Sequence, residues 1–277
     1  MSRILRAALW LLAALCAPGL ATAQVGKDVA EEMVRKSGLW ESLGSIAPQM
    51  RSALTAKEGG LPLSAVDVEA LGRAVDAAYA PARLRATAVS AVAAAMTPNQ
   101  LADLRAWYDS PRGKAITAAE EAMAASPRTP ETIMGEGTRA YAAESAERRA
   151  IYERLSKATR APEALANLAI NTTLAIQQGV IRAQGQPSGP SPAELRAALT
   201  ARKPQMIQAY SGIVLASSAL TYVTIGDDDL GAYATFLESK AGTRFTGQGL
   251  LAFDRALTQA GREFGEGLSA ARPKAKT

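Results

Sequence analysis

This sequence predicts an all-α fold, a helical bundle built from two diverged copies of a multi-helix unit, and three observations carry that reading. Aromatic residues make up only 5% of the 277 residues, alanine and leucine dominate, and the apolar positions recur at helical rather than alternating spacing. Prolines at 98, 111, 130, 162 and 192 open apolar-periodic segments, where a missing amide does no harm. The stretch "AWYDSPRGK" at 106–114 returns as "TFLESKAGTR" at 235–244.

The first element is an address. Arg3 and Arg6 precede the apolar run "AALWLLAALCAPGL", which is followed by "ATA" at 21–23 before Gln24. This is the layout of a secretory signal peptide, with cleavage expected after Ala23 and a periplasmic or secreted product. Pro18 and Gly19 break the apolar run after about a dozen residues, short of the ~20 that span a bilayer. No transmembrane anchor is therefore expected after cleavage. Cys16, the only cysteine, follows Leu15 rather than a small residue and reads as part of the signal, not as a lipid attachment point. The remaining 254 of the 277 residues hold no cysteine, so a packed core and not a disulfide must hold the chain together. Of 31 Lys and Arg, two leave with the signal, so 29 face 26 acids, a net charge of +3. Arg272, Lys274 and Lys276 of that excess lie in a basic tail, 271–277, expected to be disordered. No clustered basic face marks a nucleic-acid partner.

Helices are then expected over 28–56 with an interruption at Gly38, and over 64–79, 82–96, 98–109, 111–125, 130–157 and 162–183. Further ones follow over 192–202, 204–224, 228–238 and 240–268. The glycine- and proline-rich stretches "KEGGLP" and 184–192 read as connections. The repeated segment divides the chain into a first unit, 24–150, and a second, 151–270.

Within the early copy, Thr97, Pro98 and Gln100 form a capping-box pattern, and Leu101, Leu104, Trp107 and Tyr108 share one face. Ser110 is placed to cap the next helix, Pro111 to open it and Gly113 to leave space in its first turn. At a shift of 129 residues, Leu101, Leu104, Trp107, Tyr108, Ser110, Gly113 and Ile116 correspond to Leu230, Tyr233, Phe236, Leu237, Ser239, Gly242 and Phe245. Pro111 becomes Lys240 and Lys114 becomes Thr243, so what persists is a packed helix-to-helix corner. Phe245, Ala252, Phe253, Ala256, Leu257, Ala260 and Phe264 form an apolar stripe on the last helix and read as core.

The absence of histidine excludes serine–histidine and cysteine–histidine nucleophiles and the usual zinc, copper and haem ligand sets. Carboxylate, lysine, tyrosine or serine–lysine chemistry remains. No catalytic residue, metal ligand or cofactor-binding residue is assigned, and no cofactor is implied. Asp227, Asp228 and Asp229 read as caps and dipole partners of a helix start rather than as a metal or glycosidase site. Glu120 and Glu121, and the run 144–149, read as solvated helix faces. Trp107 and Phe236 read as core aromatics, Gly113 and Gly242 as sites of close helix packing, and Asn171 in "NTT" as a chance match to a glycosylation acceptor.

"LADLRAWYDSPRGK" resembles the core of the bacterial exported family called domain of unknown function 2059, with Trp107 and Tyr108 as its aromatic pair and Ser110, Pro111, Gly113 and Lys114 as its serine–proline and glycine–lysine. "LGAYATFLESKAGTR", with Phe236, Leu237, Ser239 and Gly242, is similar but lacks the proline and the lysine. The resemblance implies an all-helical, exported Gram-negative protein and carries over no activity. The expectation is a non-catalytic binding or interaction module of the envelope, partnered by an envelope protein or an apolar ligand. A carrier holding an apolar molecule between the two units and a carboxylate-based glycan enzyme are the alternatives.

Overall fold

The computed structural model describes residues 17–55, 65–184 and 190–271, and no strand occurs among them. The helices are α1 (Ala17–Lys36), α2 (Leu39–Thr55), α3 (Ala65–Ala78), α4 (Pro81–Ala95), α5 (Pro98–Asp109) and α6 (Pro111–Ala124). They continue as α7 (Pro130–Ala143), α8 (Ala146–Thr159), α9 (Ala161–Gln184), α10 (Pro192–Thr221), α11 (Asp227–Glu238) and α12 (Lys240–Ala271). Most of the expected signal segment, the "KEGGLP" stretch, positions 185–189 and the basic tail beyond 271 lie outside the described residues. Among the described residues no helix is long and apolar enough to cross a membrane.

The interruption expected at Gly38 is a left-handed turn with φ 71°, and Arg160 (φ 51°) makes the matching turn from α8 into α9. Two expected boundaries are corrected. The segment 130–157 is two helices, because Ser145 accepts the Arg148 amide at 3.0 Å and so caps a new start. Conversely, 192–202 and 204–224 are one helix, α10, which runs through Pro204. Pro204 and Thr200, whose carbonyl loses its intrahelical partner there, are both exposed, so water can take the freed bond.

The core lies in three clusters, and each joins the two halves of the chain. In one, Leu43, Val75, Tyr79 and Leu84 of the early helices pack against Ala252, Ala256, Leu257 and Phe264 of α12. In a second, Met33, Val92, Leu101 and Leu104 pack against Phe245. In the third, Ile116 joins Tyr152, Leu155, Ala219, Leu230 and Leu237. The stripe expected on the last helix is thus core, and its partners are the helices of the first half. Burying such side chains stabilises by roughly 1.5–3 kcal/mol each relative to exposure, so α12 is a principal wall of the N-terminal core.

Candidate functional site

The two corners that the sequence marks have the same geometry. α5 and α11 each run 12 residues. Ser110 (φ −66°, ψ 154°) and Ser239 (φ −64°, ψ 162°) are both extended at the junction. Each serine hydroxyl accepts the amide of its glycine, Gly113 or Gly242, at 3.0 Å. A Cβ on Gly113 would collide with the Trp107 carbonyl and one on Gly242 with the Phe236 carbonyl, the carbonyl carbon standing 2.9 Å away in both cases. Close backbone approach is therefore the reason for both glycines. Pro111 opens α6, Tyr108 and Leu237 are buried, and Lys114 is exposed. The acid that closes each short helix is also paired alike: Asp109 with Lys36 of α1 at 2.5 Å, and Glu238 with Arg154 of α8 at 2.6 Å.

The corners face each other. Trp107 and Phe236, equivalent under the 129-residue shift, stack with centroids 4.5 Å apart and planes 6° from parallel. Tyr233 extends the stack at 5.8 Å from Trp107, and Tyr108 meets Phe236 edge-on at 5.9 Å. Such ring pairs contribute about 0.5–1.5 kcal/mol beyond burial.

Two charged groups read as solvated in the sequence are drawn into the fold here, Arg148 buried and Glu120 half-buried, and both readings are corrected. Glu120 lies at the edge of the ring cluster, where its Oε1 accepts the hydroxyls of Tyr222 at 2.7 Å and Tyr233 at 3.0 Å. Burial pushes its carboxyl up from the ordinary range, while the two phenol bonds pull the other way. Burial also pushes the Tyr222 and Tyr233 phenols well up, with the Glu120 carboxylate adding to the effect.

Arg148, only 9% exposed, donates to the carbonyls of Tyr222 at 2.6 Å and Ile225 at 2.9 Å. It also bonds the Tyr152 hydroxyl at 2.8 Å and pairs with Asp227. It thereby pins the α10–α11 turn to α8. The aspartates do not cap α11, whose N-cap is Gly226 with no side-chain cap bond. They occupy its first turn, where Asp227 pairs with Arg148 and Asp229 with Arg112 at 2.7 Å. Their negative charge there still suits the helix dipole.

A third place was not marked in the sequence. α9 and α12 pack along much of their length, closely enough that a Cβ on Gly179 would strike the Arg262 carbonyl. Beside this contact runs an open groove of about 630 Å³, lined by residues including Asn171, Asp254, Arg255, Thr258, Arg262 and Glu263. Asn171 Nδ2 donates to both Asp254 oxygens, at 2.9 and 3.1 Å, so the amide of "NTT" on α9 is engaged by α12. The Thr258 hydroxyl and Arg262 Nε are buried without a hydrogen-bond partner, as is the Thr172 hydroxyl on the facing side of α9. Asp254, Thr258, Arg262 and Glu266 recur at four-residue spacing, one row on a helix face. That polar row beside the apolar stripe is the signal that could have disclosed the groove.

Asp254 and Glu263 are nine residues apart on α12, about 13 Å along its axis. Neither protein-family models, nor curated proteins, nor solved structures yield a match to this chain.

Proposed function

We propose that this chain is an exported, non-catalytic binding module of the bacterial cell envelope, built from two diverged copies of one helical unit, with the α9–α12 groove as its binding face. One observation carries the binding assignment. Between α9 and α12 lies an open groove with a polar lining, in which Asn171 and Thr258 stand beside carboxylates and the cations Arg255 and Arg262. Its volume of about 630 Å³ falls within the usual scale of ligand sites, ~300–1,000 Å³.

The signal layout of residues 1–23 supports export, and the matching geometry of the two corners supports the duplication. The marked motif residues serve the corners themselves, so the motif reads as scaffold and the groove as function. The carrier reading needs apolar space between the units, and the Trp107–Phe236 stack occupies that junction. The glycan-enzyme reading needs two free acids within ~5–10 Å. In the groove, Asp254 is held by Asn171 and Glu263 by Arg83 at 2.6 Å.

Native mass spectrometry of the protein recovered from the envelope fraction of its own host tests this. The expected species begins at Gln24 and carries a discrete adduct of a few hundred daltons. A bare mass retaining residues 1–23 would refute both export and binding.

A further inference from the structure

We infer that Tyr222, Tyr233 and Glu120 form a one-electron oxidation site, in which a phenol and the carboxylate it bonds together hold a neutral tyrosyl radical. The site lies against the paired corners, apart from the α9–α12 groove, and neither depends on the other.

The ring array supplies a path for the electron. Five of the seven tyrosines, Tyr108, Tyr141, Tyr152, Tyr222 and Tyr233, join Trp107 and Phe236 in one continuous chain of ring contacts. Within it Trp107 stands 5.8 Å from Tyr233, Tyr233 6.3 Å from Tyr222, and Tyr222 6.5 Å from Tyr152, centroid to centroid. Rings this close can exchange a single electron.

The proton acceptors decide where the radical stays. A phenol that loses an electron must also release its proton, because a bare cation withdrawn from water is costly. Glu120 Oε1 already accepts both hydroxyls, Tyr222 at 2.7 Å and Tyr233 at 3.0 Å. The other stations lack such an acceptor or lack cover. Trp107 Nε1 is buried without a hydrogen-bond partner, so an electron lost there is replaced from Tyr233. The Tyr152 oxygen accepts Arg148 Nε at 2.8 Å, and a cation beside the ring opposes the loss of negative charge. Tyr141 does donate to a carboxylate, Glu153 at 3.0 Å, but in an exposed pair that reductants can reach. Tyr79, outside the chain of rings, has a buried hydroxyl with no partner among the described residues.

The step balances within these groups. A one-electron oxidant at the surface, of the class of a metal(III) polypyridyl complex, takes one electron from Tyr222 or Tyr233, directly or through Trp107, and is itself reduced by one electron. The phenol O–H bond breaks and its proton passes to the Glu120 carboxylate along the existing hydrogen bond. A neutral phenoxyl radical and a neutral carboxylic acid remain, so no buried charge is created. One electron from a reductant and the same proton restore the phenol. Glu120 takes a single proton, so each chain holds one radical.

The test oxidises the purified full chain with flash-generated tris(bipyridine)ruthenium(III) and reads the freeze-quenched electron paramagnetic resonance signal. The variants are Glu120→Gln, Tyr222→Phe, Tyr233→Phe and the double phenylalanine variant, with Tyr141→Phe and Tyr210→Phe as controls. Wild type is expected to give a persistent tyrosyl signal of no more than one spin per chain. Either single phenylalanine variant keeps a signal, the double variant loses it, and Glu120→Gln, which cannot take the proton, shows decay at least tenfold faster. Both controls match wild type. A role confined to packing would leave these signals unmoved, since phenylalanine keeps the rings. In wild type alone, peptide mapping of a nitroso spin-trap adduct should place the radical on Tyr222 or Tyr233, which serves if a substitution disturbs folding. Absence of a tyrosyl signal in wild type, an undiminished signal in the double variant, an unchanged lifetime in Glu120→Gln, or an adduct confined to Tyr141 or Tyr210 overturns the inference.

Discussion

Replacing Gly113 and, separately, Gly242 by alanine tests whether the two corners are built alike. At either position the new methyl would collide with the carbonyl of the residue six before it, whose carbon stands 2.9 Å away where ordinary contact begins near 3.4 Å. The Trp107 carbonyl cannot yield freely, because it accepts the Ser110 amide at 3.0 Å and the Ser110 hydroxyl at 2.6 Å. Overpacking of this kind costs roughly 1–3 kcal/mol, offset by about 0.5–1 kcal/mol from the better helix propensity of alanine. A net loss of about 1 kcal/mol lowers the Tm of a chain this size by about 2–4 °C. Gly231 of α11 is the control, since a Cβ there meets nothing within 4 Å. Gly231→Ala should therefore raise the Tm by a few degrees. Thermal unfolding followed by circular dichroism reads all three. The reasoning is refuted if Gly113→Ala and Gly242→Ala melt at or above the wild type, or if only one of them destabilises.

Three further outcomes are expected. Ser110→Ala and Ser239→Ala should each cost about 1 kcal/mol by urea unfolding, the usual loss of a helix cap; unequal costs would contradict the matching geometry. Arg148→Ala should cost roughly 3 kcal/mol, because it leaves Asp227 and the Tyr222 and Ile225 carbonyls without their cation. It should also speed amide exchange across 222–226, and unchanged exchange there would count against the clamp. Glu120, whose carboxyl is raised by burial, holds its proton in the folded state to a higher pH than in the unfolded chain. Its stabilising contribution is therefore full below the ordinary carboxyl range, about 4.3, and is lost as pH rises through the folded value. Glu120→Gln keeps an acceptor for both phenols without titrating, so urea unfolding should show the wild type losing stability relative to the variant as pH rises from about 4 to 8. A pH-independent difference would defeat the assignment.

The all-helical class and most helix starts were legible because proline, serine and threonine act locally. The capping box at Thr97 and Gln100 appears as its pattern requires, with bonds of 3.0 and 3.3 Å. The corner was legible for the same reason, since its serine and glycine satisfy backbone needs within a few residues. What could not be read locally is which chain segment covers a charge. Glu120 and Arg148 sit in runs that look solvated, and their partners, Tyr222, Tyr233 and Asp227, lie 74 to 113 residues away. The groove was hidden likewise, because the row from Asp254 to Glu266 acquires meaning only when α9 is laid against it.

The place of α12 in the N-terminal core bears on how the chain folds. Tyr79 and Phe264 have ring centroids 6.1 Å apart across 185 residues of sequence, and Leu43, Val75 and Leu84 share that cluster with Leu257. A chain emerging N-terminus first cannot close this cluster until its last helix has been made. Contacts of such long sequence range form late and slow the search for the native state. The early helices therefore keep this face uncovered until the final helix arrives, and its arrival completes the fold.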